Sequence, residues 1–456
     1  MIRLKQFVFF SIHSIAIAIF SFPLSAQSTF PILVRDINPN GSSTPKNFFV
    51  YNDKLIFFAR NGAGNGLWIT DGTPSGTKFV KGLTMDLNEA FEYGHYFTIL
   101  NNKVYFFADD GVHGIELWVT DGSEAGTYLV KDIAPGKSGQ EIFNRNIMNM
   151  NGVLIFSADD AIHGEQIWRS DGTAEGTNIL SELGGLSARM DTLNKYLYFA
   201  IYTAYKPAKI YRTNGTTEGT TLFYTDNSQM GIIHSLYYHN HFLYFVTSGQ
   251  SGYQIWSTDG TEKGTVMIKA LQYYTSHTHT HKFISGGTQL YFAGNDGSGE
   301  ALWKTDGTVA GTIMVKRMNK VSPMIESHQS NTPAVYCNGS FYFAFYNRDL
   351  KVTQLYKTNG SPEGTAFVSD MIGGFEDPVV VGNTIYFRGS DKVHKDELWI
   401  SDGTKEGTHM LVDGNNLLKQ SGLTYHDSYI EFKGALYLSY NDGLCGVELF
   451  KIAKKK

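Results

Sequence analysis

The stretch "ELWVTDGSEAGTYLVKDI", residues 116–133, recurs with variations along the whole chain. Copies read "GLWITDGTPSGTKFVKGL" from Gly66, "QIWRSDGTAEGTNILSEL" from Gln166 and "KIYRTNGTTEGTTLFYTD" from Lys209. Others read "QIWSTDGTEKGTVMIKAL" from Gln254, "ALWKTDGTVAGTIMVKRM" from Ala301 and "QLYKTNGSPEGTAFVSDM" from Gln354. "ELWISDGTKEGTHMLVDG" follows from Glu397, then a truncated "ELFKI" from Glu448. The aromatic position falls at Trp68, Trp118, Trp168, Tyr211, Trp256, Trp303, Tyr356, Trp399 and Phe450, with gaps of 43 to 53 residues. That period suits propeller blades and is too long for most helical repeats.

Each unit reads as four strands. A run such as "KVYFFADD" (103–110) or "LYFAGND" (290–296) precedes the aromatic and is apolar on both alternate sets, as in a strand covered on both faces. Before it lies a shorter strand ending in a tight turn at Asn101-Asn102, Asn151-Gly152, Asn338-Gly339 or Gly382-Asn383. After the aromatic come "TDGTxxGT" and an outer strand of the "LVKDI" type, whose Lys131 and Asp132 suit an edge that must stay soluble.

The ends of the repeat array settle the topology. "PILVRDINPN" (31–40) matches "YLVKDIAPG" (128–136) but has no blade before it, and "GALYLSYNDGLCGVELFKI" (434–452) lacks an outer strand. A closed all-β ring, with the N-terminal strand completing the last blade, explains both fragments. The expected fold is a single β-propeller of nine four-stranded blades; eight is the alternative if Lys209–Thr220 is spliced out of the ring.

In these motifs the chain resembles the secreted bacterial ELWxxDGT-repeat proteins, often labelled hyalin-like. "ELWVTDGS" and "ELWISDGT" nearly spell that signature, and the likeness covers almost all of the repeat region. The resemblance implies an exported β-propeller of the cell envelope or extracellular space. It carries no catalytic residues over.

The start, "MIRLKQFVFFSIHSIAIAIFSFPLSAQS", has a short basic head, an apolar stretch and small residues before Gln27. It reads as a signal peptide over 1–26, leaving the propeller over 27–456 in the periplasm, at the cell surface or outside the cell. Loss of Arg3 and Lys5 with that segment leaves 36 basic and 43 acidic residues, a net charge of −7. That balance argues against nucleic acid as a partner. No further apolar run is long enough to span a bilayer, and the mature chain is expected to be monomeric.

Most of the repeated polar residues read as scaffold. The turn aspartates Asp71, Asp121, Asp171, Asp259, Asp306 and Asp402 resemble calcium ligands, yet Asn214 and Asn359 fill the same slot. Asn keeps the oxygen that closes a turn and lacks the charge. The acidic loops "ADDGVHG" (108–114), "ADDAIHG" (158–164) and "YNDGLCG" (440–446) read as hairpin turns too. All six tryptophans occupy the repeat position, and Cys337 and Cys445 fall in turns on opposite faces, too far apart for a disulfide.

Function is therefore sought where the repeats differ. The outer-to-inner connections vary in length and chemistry, and specificity is expected on their face. Counting back nine residues from the second strands gives one register of Lys46, His95, Arg145, Ala188, His234, His281, Thr332, Glu376 and Asp427. It is expected at the channel mouth, making His95, Arg145, His234, His281, Glu376 and Asp427 candidate binding residues. Tyr273 and Tyr274 are candidate stacking partners beside them.

The run "TSHTHTHKF" (275–283) suggests a transition-metal site, zinc or copper, drawn from His277, His279 and His281 with His234. A polar loop without metal is the competing reading. The leading function is a non-catalytic module that presents its varied loops to a protein or polysaccharide. A channel-mouth hydrolase or lyase, pairing His234 or His281 with Glu376 or Asp427, is the alternative. A purely structural subunit of a surface assembly is the third.

Overall fold

A computed structural model describes residues 31–85, 96–136, 146–183, 190–201, 207–226, 232–249, 252–272, 283–318, 321–323, 334–347, 349–371, 373–390, 397–411 and 429–453. Among them every regular element is a strand, and the strands form nine antiparallel sheets. Blade two shows the plan, with Phe97–Leu100 inside, then Lys103–Asp109, Ile115–Thr120, and Tyr128–Lys131 outside. Met190–Leu193, Tyr196–Ile201, Lys209–Thr213 and Thr221–Thr225 form a complete fourth blade, so the count is nine and not eight. In blade seven a short segment, Val321–Pro323, also pairs with the second strand. Ile32–Arg35 pairs antiparallel with Val447–Ala453 as the outer strand of blade nine, which closes the ring.

Packing runs between blades. Each blade's second strand is buried on both faces, as Val104 to Ala108 illustrate, so each blade is a slab of hydrocarbon that must be covered on two sides. Nine apolar clusters answer this, each joining residues of two neighbouring blades. The cluster of Val34, Leu449 and Phe432 with Leu55, Phe57 and Trp68 joins blade nine to blade one. Each fully buried Phe or Leu there contributes about 1.5–3 kcal/mol. The repeat aromatic stands on the third strand against the preceding blade, as Trp118 does among Ile56, Phe58 and Val80. Where it is Trp the indole often donates back to the second strand, from Trp68 to the Ala59 carbonyl (3.2 Å) and from Trp303 to that of Gly294 (3.1 Å).

The "TDGTxxGT" turn repeats down to its hydrogen bonds. Asp71 Oδ1 accepts from the Thr73 amide and hydroxyl, and the Thr73 hydroxyl accepts from the Gly76 amide at 2.9 Å. Thr70 and Thr77 share a buried hydroxyl contact of 2.8 Å at the foot of the turn. Asn214 and Asn359 take the same two bonds from Thr216 and Ser361, so the slot needs an oxygen and not a charge. Gly72 has φ +93°, and a Cβ there would overlap the Tyr437 hydroxyl of blade nine. The glycine serves both the left-handed turn and the neighbour's ring.

Lys131 does more than keep an edge soluble. Its Nζ donates to the Thr177 carbonyl of blade three at 2.6 Å and lies 6.0 Å from the Trp168 ring. Lys81 reaches the Thr127 carbonyl and the Trp118 ring one blade on, and Lys316 reaches the Thr365 carbonyl at 2.8 Å. The outer strand of one blade is thus stapled to the turn of the next. Cys337 and Cys445 are free thiols.

Candidate functional site

Strand direction gives the disc two unlike faces. One carries the inner hairpins and the "TDGTxxGT" turns. The other carries the second-to-third turns and the connections from each outer strand to the next inner strand.

Of the candidate residues, His234 and Glu376 lie within the described residues. His95, Arg145, His281, Asp427, Tyr273, Tyr274, His277 and His279 lie outside them, as do Ala188 and Thr332. Lys46 pairs with Phe58 and Glu376 with Arg388, equivalent places on the inner strands of blades one and eight. In blade five that place, opposite Val246, belongs to Ser235. His234 is the extra residue of a bulge between Ile233 and Ser235, so the register there is displaced by one. His234 is 8% exposed, its ring set edge-on against Tyr253 with centroids 5.3 Å apart. Blades five and eight put His234 and Glu376 three blades apart around the ring.

The inner strand of blade eight, Gly373–Val381, is nine residues long and carries two register shifts around Glu376. Arg388 Nη2 donates to Glu376 Oε2 at 2.6 Å and lies 3.5 Å from Asp377 Oδ2. Asp377 adopts φ +50° ahead of Pro378, and Tyr429 of blade nine donates to the Glu376 carbonyl at 3.1 Å. Burial drives the Tyr429 phenol well above its usual range. The result is a wall of two carboxylates on one buried guanidinium. The sequence signal for it was "GGFEDP" (373–378), whose small residues and proline interrupt an otherwise regular strand.

Further out on the same face sit three related turns. Asp110 accepts from the Val112 and His113 amides and contacts His113 Nδ1 at 2.8 Å; Asp160 and His163 repeat this in blade three. The bond to Asp110 raises the His113 pKa, so the imidazolium persists above its ordinary range. In blade nine Cys445 stands in place of the histidine beside Asp442. Burial and that carboxylate push its thiol up to about 12, which makes it a poor nucleophile.

Behind these turns, Glu116 and Glu448 of the "ELW" motif are 2% and 0% exposed. Glu116 accepts the amides of Ile133 (2.8 Å) and Ala134 (2.9 Å), where the connection to blade three begins. Glu448 accepts the amides of Ile37 (2.9 Å) and Ser43 (3.0 Å) and the Ser43 hydroxyl. These glutamates were legible as motif letters but not as anchors, because their partners are backbone amides. Among the described residues no three His, Cys, Asp or Glu side chains gather so as to hold a metal ion. No helix among the described residues is long and apolar enough to cross a membrane.

No family model matches the chain, and no curated protein matches it. Among solved structures it is similar to the computationally designed Ika8 protein, at 9% identity and TM-score 0.42 over 93% of this chain and all of that one. It is also similar to puromycin hydrolase, at 11% identity and TM-score 0.38 over 79% of this chain and 60% of that one. A prolyl endopeptidase gives 8% identity and TM-score 0.44 over 82% of this chain and 50% of that one. The chain thus spans 60% and 50% of the two hydrolase chains, and at these scores none of the three bears on its function.

Proposed function

We propose that the protein is an exported, non-catalytic binding propeller of the ELWxxDGT-repeat kind, presenting its connection face to a protein or polysaccharide of the cell envelope or its surroundings. One observation carries this reading. The turn face repeats one hydrogen-bonded turn in blades one to eight, whereas the connections opposite run from "KGLTMDLNEAFEYGH" to "RMNKVSPMIESHQSNTP" with no shared pattern. Variety on a rigid frame is how a scaffold acquires specificity. The channel-mouth enzyme has less support, because Glu376 is engaged by Arg388 and stands three blades from His234.

Residues 27–456 should retain a polysaccharide from a bacterial envelope panel on an affinity column without releasing reducing ends. Replacing 275–282 by a Gly-Ser segment of equal length should weaken that retention at least tenfold. Steady product release would sink the non-catalytic reading. Stoichiometric zinc or copper in tag-free protein, lost with the same replacement, would add a metal to it.

A further inference from the structure

The residue two before the blade aromatic faces a fixed position at the end of the outer strand. In blade seven these are Gln354 and Asp370, a direct pair, and the Gln354 amide donates to the Asp370 carboxylate at 2.9 Å. Blade two holds Glu116 and Asp132 there, one step beyond the pair of Leu117 and Lys131. Blade nine holds Glu448 and Asp36, one step beyond Leu449 and Arg35. Glu in place of Gln removes the N–H from that contact. Asp132 Oδ1 is accordingly buried with no hydrogen-bond donor.

Two carboxylates facing each other with no donor between them are disfavoured, and a proton between them restores the missing bond. We propose that Glu116 is held protonated against Asp132, its proton supplying the missing bond, and that release of this proton loosens the connection leaving blade two. The inference does not depend on what the connection face binds. It makes the chain's own blade seven the proton-independent version of the same contact.

The surroundings agree. Burial pushes Glu116 up to about 7 against the pull of the Ala134 and Ile133 amides, and Asp132 pushes the same way. Burial raises Glu448 too. The other titratable group near Glu116 is His113, held by Asp110. A folded value above the ordinary 4.5 means that the proton's contribution is complete below about 4.5. It falls as pH rises and is gone above about 7, at up to about tenfold per pH unit.

Hydrogen exchange of the Ile133 and Ala134 amides in the whole chain, corrected for intrinsic rates, tests this between pH 4.5 and 8. Protection should fall up to about a hundredfold from pH 5 to 7 and then level off. Asp132→Asn, which supplies the missing N–H and leaves both Glu116 oxygens to accept the Ile133 and Ala134 amides, should flatten the profile and keep protection at pH 8. A flat wild-type profile, or an unchanged slope in Asp132→Asn, overturns the proposal. If that variant does not fold, Asp132→Ser, which also offers a donor there, is judged by the same slope.

Discussion

On the turn face, Asp71, Asp121, Asp171, Asn214, Asp259, Asp306, Asn359 and Asp402 accept the same bonds from the residue two places on. On the connection face, the slot two residues before the aromatic holds Gly66, Glu116, Gln166, Lys209, Gln254, Ala301, Gln354, Glu397 and Glu448. The first set closes a turn whose geometry every blade shares. The second meets a connection that is different each time. Uniform chemistry therefore marks where the ring is held together, and mixed chemistry marks where each blade solves its own problem.

Removing a connection-face anchor gives the largest effect expected. Glu448→Ala strands the buried Ile37 amide and leaves the Ser43 amide and hydroxyl only the Val447 carbonyl, so three bonds to a buried carboxylate are lost at a cost of about 3–5 kcal/mol. Because those amides belong to the segment that closes the ring, guanidinium unfolding should begin at lower denaturant with an early phase from blades nine and one. A loss under 1 kcal/mol would show that the seam rests on strand pairing alone.

Next comes the turn face. Gly72→Ala should cost about 2–4 kcal/mol, because the methyl both opposes φ +93° and overlaps buried Tyr437. Gly434→Ala, at φ +75° with open space around it, should cost only about 1 kcal/mol. Equal losses in thermal melts would mean that backbone strain alone matters and that the neighbour's ring yields.

The nine aromatic positions, the orphan strand at 31–40 and the Asn substitutions made the ring, its closure and its turns legible in advance, because all three recur within single stretches. What escaped the sequence depends on contacts between stretches. The Glu116 anchor acts on backbone amides, which carry no side-chain signature. The shift from His234 to Ser235 comes from one bulge, and counting along a strand assumes there is none. Arg388 on Glu376 and Asp377 joins neighbouring strands whose spacing is set by two register shifts.

A milder perturbation separates charge from geometry on the turn face. Asp171→Ala should cost about 1–2 kcal/mol through the lost bonds to Thr173, whereas Asp171→Asn should stay within about 0.5 kcal/mol, as Asn214 and Asn359 imply. Millimolar calcium should move neither melting curve. A calcium-dependent rise that Asn abolishes would turn these turns from scaffold into ion sites.

The smallest effect tests how the two faces are coupled around the ring. Lys131 begins on the outer strand of blade two and ends on the Thr177 carbonyl of blade three's turn, its Nζ over the Trp168 ring. Methionine keeps the length of the side chain but loses the donor and the charge over the indole, so Lys131→Met should cost about 0.5–1 kcal/mol. An edge lysine that served solubility alone would leave the melt unchanged and lower the concentration at which the protein aggregates. A stability loss with unchanged solubility makes Lys131 a staple between blades. Because Lys81, Lys316 and Lys131 make the same kind of reach, the losses of the three methionine variants should then add.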